Sequence, residues 1–388
     1  MTHLDRRTFL RNSLIGASGA ILAAPALAHA ATQQQADTAP KKLIRRKLGK
    51  SGIALPIVSM GVMRADNPAL VKAALKGGVV HLDTAHGYQH GKNEEMLGEL
   101  LKDYPRDSFV ISTKVPPGSH EEMKANVDLS LQRLKMKQVD ILYLHGPESK
   151  SPVLDPGYLE LMKGFKASGR TKLIGVSVHR NEPEVIQAAI DSGIYDVVLT
   201  SINFKQDHYP DVKAAIAKAA KAGIGIVAMK TMAGGFLDKE RTKPVNCLAA
   251  LKWVLQDENV TTAIPGVTTF DMLAENLLAN EDLSMTEKEK ADLAYAGSES
   301  GLYCQGCEKC VGACPKGLAI PDMMRAYMYT YGYRSPALGR ELLQSIKSDA
   351  DPCRDCASCT VECSKGFNVR EKIADVSRLH NVPEDFLA

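Results

Sequence analysis

The chain has 388 residues, well beyond the roughly 250 that one ordinary strand-helix barrel needs, so a second module has to be accounted for. An apolar content of 45% with 24% charged residues belongs to a globular protein with a large core and excludes a disordered chain. The net charge of +3 forms no basic stripe with interleaved aromatics, which excludes a nucleic-acid surface.

The first thirty residues differ in kind from the rest. Asp5-Arg6-Arg7-Thr8-Phe9-Leu10-Arg11 sets two adjacent arginines before an apolar run from Leu14 to Leu27, and Ala28-His29-Ala30 supplies a small-x-small cleavage site. This resembles a twin-arginine export signal over residues 1–30, with Asp5 as a small departure, and it implies a periplasmic or otherwise exported protein. The run is too short, too rich in Gly and Ala, and too interrupted by Pro25 for a stable membrane span. Its removal takes three arginines and one aspartate with it and leaves a charge of +1. Residues 31–42, with three consecutive glutamines, read as a flexible leader.

From residue 43 to 282 short apolar runs alternate with amphipathic ones, the pattern of a parallel sheet wound by strand-helix units. Eight strands are predicted, at 56–60, 79–83, 109–114, 139–145, 172–177, 197–201, 224–229 and 261–265. Glycines at 77–78, 169, 193 and 223 stand at the helix-to-strand junctions, where a helix end needs a left-handed residue. The count of eight favours an α/β fold of the (β/α)8 TIM-barrel kind over an open doubly wound sheet. So does the absence of G-x-G-x-x-G after the first strand.

Polar residues of catalytic type fall at the C-terminal ends of successive predicted strands: Asp83, Lys114 and His145. In a barrel these ends share one mouth. Tyr88 follows in the loop HLDTAHGY and can return over the same opening. Taken singly, Asp83 could be a helix cap, Lys114 a solvated loop residue, His145 a hydrogen-bonded core histidine and Tyr88 a packing residue with a wet tip. Their common register is what makes them a candidate catalytic set.

LDTAHGY, GKNEEMLGELL, ISTKV and YLHGP, in this order and spacing, resemble the aldo-keto reductase family from about residue 43 to 280. The resemblance implies a small-molecule carbonyl or alcohol substrate and a tetrad of Asp83, Tyr88, Lys114 and His145. Tyr88 would be the proton donor, its pKa drawn below the usual value of about 10 by the Lys114 ammonium. Asp83 would hold the lysine, and His145 would orient the carbonyl oxygen.

The nucleotide positions depart from the family. Of the residues that would hold a nicotinamide amide Ser177 survives, beside Val178, Leu199 and Met229. At the adenosine end Glu275 and Asn276 remain, while Gly266 and Met272 stand where cations would meet a phosphate. Lys230 is the nearest basic residue and reads as solvated or substrate-facing. Either NADP(H) binds weakly or another electron carrier serves, because unpaired buried amides cost about 1 to 3 kcal/mol each.

The tail, residues 283–388, carries eight of the nine cysteines in two runs of identical spacing. Cys304, Cys307, Cys310 and Cys314 form the first; Cys353, Cys356, Cys359 and Cys363 form the second. C-x2-C-x2-C-x3-C is the bacterial ferredoxin run, so two 4Fe-4S clusters in a small, mostly helical ferredoxin-type domain are expected. Zinc would ask for doublets rather than quartets, and disulfides for no strict repeat. In two-cluster ferredoxins the fourth cysteine ligates the other cluster. This would group Cys304, Cys307 and Cys310 with Cys363, and Cys353, Cys356 and Cys359 with Cys314. The stretch between the runs, including AYMYTYGY, is expected to be helical and to cover the clusters or the barrel, with its aromatics in a core. Cys247, alone, is expected to be a buried hydrophobe. Together these features describe an oxidoreductase acting on a carbonyl or alcohol, with the clusters as a relay to a redox partner protein. The alternative is an iron-sulfur electron-transfer protein whose barrel is a degenerate binding scaffold.

Overall fold

Strands and helices alternate along the chain as the periodicity predicts, and the strands close on themselves. The computed structural model describes residues 43–387, so the expected export signal and the whole of the expected leader lie outside the described residues. An antiparallel hairpin of β1 (Arg45–Lys47) and β2 (Ala54–Pro56) comes first. Eight parallel strands follow, each hydrogen-bonded to the next in chain order. They are β3 (Met60–Gly61), β4 (His81–Asp83), β5 (Val110–Val115), β6 (Val139–His145), β7 (Thr171–Val178), β8 (Val197–Ser201), β9 (Gly225–Met229) and β10 (Thr262–Ala263). Bridges between Val58 and Ala263 and between Gly61 and Gly266 join the last strand to the first, with Ser59 N donating to Ala263 O at 2.8 Å. The result is an eight-stranded parallel barrel.

β6 and β8 coincide with the predicted strands. The largest shift is at the first, expected at 56–60, because Pro56 pairs with Arg45 in the hairpin and the barrel edge begins only at Met60. Leu48 and Leu55 from that hairpin join Ile141, Tyr143, Val197, Leu199 and Val227 inside the barrel and plug its floor. Gly175 makes room for this filling: a Cβ there would lie 2.7 Å from the Tyr143 ring and 2.4 Å from Val197 O. A second apolar layer, including Leu82, Leu97, Ile174, Val185 and Val254, lies between strands and helices, each such side chain contributing about 1.5 to 3 kcal/mol.

Past the barrel the chain is helical. Leu293 and Ala296 of the helix Glu287–Ser298 pack with Ala249 and Ala250 of Cys247–Leu255, so this first part of the tail packs on the barrel. The helices Ile320–Tyr327, Pro336–Ser345 and Val369–Ser377 build a separate small core of Ile320, Met323, Leu343, Ile373 and Val376. Cys304, Cys310, Cys314, Cys353 and Cys363 pack against it. No helix among the described residues is long and apolar enough to cross a membrane.

Candidate functional site

The four expected catalytic residues meet at the C-terminal mouth of the barrel. Lys114, nearly the last residue of β5, is almost fully buried and donates to three acceptors, which uses all three ammonium protons. These are Asp83 Oδ2 at 2.5 Å, Thr84 O at 2.5 Å and Tyr88 Oη at 3.4 Å. Asp83 is fixed from its other oxygen, which accepts from Ser112 Oγ at 2.6 Å. The Tyr88 ring meets His145 edge-on at 6.2 Å between centroids. Tyr88 is presented by a tight loop in which Gln89 and His90 both adopt left-handed backbone, at φ 53° and 54°.

The expected direction of the Tyr88 pKa is reversed. Burial, the Asp83 carboxylate and the Tyr329 ring hold the phenol well above its usual value. The physical reason is that Lys114 sits closer to Asp83 than to Tyr88, so its charge is largely cancelled before it reaches the phenol. The phenol is therefore a fully protonated donor. Burial and the charges of Lys114, Arg325 and Lys230 lower the His145 pKa to about 3, so its imidazole is neutral and can donate one hydrogen bond.

The mouth opens into a cavity of about 1120 Å³ lined by Tyr88, His145, His179 and Lys230 on the barrel side. Its roof comes from the tail. Arg325, Tyr329 and Tyr333 project into it from Ile320–Tyr327 and the turn that follows. Tyr327 is buried in the small helical core as expected; Tyr329 and Tyr333 pack against Leu302, Tyr303 and Met328 and also line the cavity, a role beyond the core one expected. Arg325 and His179 were not singled out in the sequence; the density of tyrosines after Arg325 was the available signal. Cys247 is half-buried and borders the cavity, so it is not a plain core residue, and burial raises its thiol pKa to about 12.

The roof is tied down by cations that reach across. Arg64 donates to Tyr333 O at 2.7 Å and Arg241 to Gly332 O at 2.6 Å. Arg180, at the end of β7, pairs with Glu148, with Glu308 at 3.2 Å and with Asp322 at 3.2 Å. Tyr303 wedges between Gly234 and Gly332, where added Cβ atoms would lie 1.7 and 2.2 Å from its ring.

The nucleotide candidates are divided. Ser177 pairs with His145 in the sheet, and its buried hydroxyl has no partner among the described residues. Asn276 Nδ2 is likewise buried and unpartnered, and Glu275 lines the cavity. Leu199 lies inside the barrel core, and Val178 faces the layer under the helices. Gly266 and Met272 line the cavity without offering a charge, and Lys230 lines it near Tyr329.

The eight cysteines fall into two groups. Cys304 feels the charges of Cys307, Cys310 and Cys363, and burial raises its thiol pKa to about 11. Cys353 feels those of Cys356, Cys359 and Cys314. These neighbours are the ones that the expected crossing would group, Cys363 with the first three cysteines and Cys314 with the second three. Buried thiols that repel one another as thiolates fit a site completed by a positively charged cluster. Among the described residues no three such donors close on a point small enough for a single ion. Cys314, Cys353, Cys356 and Cys359 instead border a small cavity of about 30 Å³. The first quartet adjoins the barrel: Cys304, Gln305 and Gly306 share a small cavity with His179, Lys230 and Arg325.

Residues 52–248 match the model of the aldo/keto reductase family. The chain belongs to that family. Residues 303–368 match a 4Fe-4S dicluster domain, so this aldo/keto reductase carries two clusters. The chain is 24% identical to the L-glyceraldehyde 3-phosphate reductase of Escherichia coli strain K12, over 68% of its own length and 96% of the relative's. Among solved structures it resembles the holo form of an aldo-keto reductase from Bacillus halodurans. The TM-score is 0.55 and the identity 21%, over 65% of this chain and 96% of the other. It also resembles an aldo/keto reductase of Klebsiella pneumoniae in complex with NADP and acetate. There the TM-score is 0.54 and the identity 21%, over 67% and 96%. This aldo/keto reductase is an oxidoreductase with an iron-sulfur electron relay.

Proposed function

We propose that the barrel mouth interconverts a carbonyl compound and its alcohol while the clusters exchange the electrons with a redox partner protein. The observation that carries this reading is the position of the Cys304 quartet, which borders the same mouth as Tyr88 and His145 through His179. Reduction adds a hydride to the carbonyl carbon, which a bound nicotinamide would supply, and a proton to the carbonyl oxygen, which Tyr88 Oη gives. Neutral His145 donates a hydrogen bond to that oxygen, and the Lys114 ammonium, hydrogen-bonded to Tyr88 Oη, is the donor that meets the phenolate left by proton transfer. The roof of Tyr329 and Tyr333 keeps water from the reacting carbon.

Bound clusters would supply one-electron storage, and a pair matches the two electrons by which an alcohol and a carbonyl differ. NADP(H), present in the Klebsiella relative, would be held here by Ser177 at its amide and by Glu275 and Asn276 at its adenine. Leu199 and Met229 add no hydrogen bond, so the dinucleotide is held more loosely than by a full set of amide side chains. The paired arginines and apolar run of residues 1–30 support export by the twin-arginine route, which carries folded chains with their cofactors in place; cell fractionation tests it.

The functional test is spectroscopic. Anaerobically prepared, cluster-loaded protein is mixed with a panel of alcohols or with NADPH, and cluster absorbance is followed. Bleaching by an alcohol that is lost in Tyr88→Phe is the expected outcome. If Tyr88→Phe leaves exchange with the partner intact and nothing bleaches the clusters, the barrel is a binding scaffold.

A further inference from the structure

Six cations border the large cavity: Arg64, Lys230, Arg241, Lys243, Lys288 and Arg325. Four have evident structural partners. Arg64 and Arg241 hold backbone oxygens of the roof, Lys243 pairs with Glu299 at 3.7 Å, and Lys288 with Asp292 at 2.7 Å. Arg325 has only Asp322 at 3.6 Å, and that carboxylate stands closer to Arg180. Lys230 has no hydrogen bond or ion pair among the described residues; its ammonium lies 5.7 Å from the centre of the Tyr329 ring. Burial and the Arg325 charge lower the Lys230 pKa to about 7, so a bound anion would supply the counter-ion that keeps this amine protonated.

The backbone adds a second, independent sign. Lys230 stands directly after β9 with φ +56°, in the left-handed region where glycine is the ordinary choice and other residues cost about 1 to 2 kcal/mol. The strained turn keeps a long cation at the mouth, on the wall shared with Tyr88 and His145. Arg325 comes to the same wall from the opposite module. Both charges reach His145 and His179, so they converge close to where a carbonyl oxygen would sit.

We propose that Lys230 and Arg325 form a two-sided anion clamp, and that the substrate is a short carbonyl compound, or its alcohol, bearing a carboxylate next to the reacting carbon. This rests on the reading of Tyr88 and His145 as the carbonyl-binding pair. The barrel supplies one arm of the clamp and the iron-sulfur module the other, so neither part alone recognises the substrate. A free carboxylate would replace the missing counter-ion, and the partly buried setting would strengthen each charge-assisted bond.

The test uses the full, cluster-loaded chain and oxamate, a dead-end analogue with adjacent carbonyl and carboxylate, titrated by calorimetry. Lys230→Met and Arg325→Gln should each weaken oxamate binding tenfold or more and leave binding of its neutral ethyl ester unchanged. Unaltered melting temperature and cluster absorbance show that both variants are folded. Lys230→Met that weakens pyrophosphate but not oxamate would assign the cation to a nucleotide phosphate and overturn the proposal. So would a variant that shifts the cluster reduction potential with oxamate affinity intact. Failure of the carbonyl chemistry itself is read separately: Tyr88→Phe would then leave turnover unchanged while Lys230→Met still abolished oxamate binding.

Discussion

Lys114 has three protons and three acceptors, and this saturation fixes its ammonium between Asp83, Thr84 and Tyr88 where the chemistry is proposed. Replacing Tyr88 by Phe removes the proton that is transferred to a bound carbonyl. Turnover in carbonyl reduction should fall by about a hundredfold or more, with substrate affinity changed much less, as steady-state kinetics would show. A second residue-scale prediction concerns His208, whose Nε2 lies 3.0 Å from Oε2 of fully buried Glu182. That hydrogen bond raises the His208 pKa above 6.5. The native state therefore holds a proton that the unfolded chain has released. The stabilisation is complete below pH 6.5 and disappears as pH rises through the raised value. The difference in urea midpoint between the protein and His208→Gln should be large at about pH 6 and small at about pH 9. Single residues were legible in the sequence where a motif fixed them, as with Asp83, Tyr88, Lys114 and His145. The sense of the Tyr88 shift was not legible, since it depends on which of two neighbours stands closer to Lys114. Arg325 and His179 were hidden for a similar reason: each acquires meaning only once two distant segments meet.

At the scale of elements, the docking of Ile320–Tyr327 and its turn over the barrel is held by few, well-placed contacts. Arg180 answers three carboxylates, two of them from the tail, and is itself almost buried. Arg180→Ala leaves Asp322 and Glu308 without that partner and should cost about 3 kcal/mol, visible as a lower unfolding midpoint. Protease cleavage between residues 303 and 345 should quicken in the same variant. Gly234→Ala drives a Cβ into the Tyr303 ring at a backbone angle of φ +99° and should loosen the same roof. Here the alternation of apolar runs was enough to find all eight strands, because each must pair on both edges and be buried on both faces. It misplaced the start of the first one, since the same apolar letters serve a hairpin strand as well as a barrel strand. The reach of the helix Glu287–Ser298 back onto the barrel was equally invisible, because an amphipathic pattern does not name the surface that its apolar side will cover.

On the scale of the whole molecule, crossed cysteine quartets would join the two ends of the tail into one unit. Cys363→Ser should alter the same reduced-state resonance signal as Cys304→Ser, and Cys314→Ser the same signal as Cys353→Ser; opposite pairing of these effects would refute the crossing. The roof of the mouth, Arg325, Tyr329 and Tyr333, is spelled out in the chain between the two cysteine runs. Clusters bound by both runs would therefore tie the two ends of a loop whose middle is the ceiling of the reaction chamber. That ceiling is also anchored to the barrel by Arg64, Arg180 and Arg241, so electron relay and substrate enclosure share one stretch of chain.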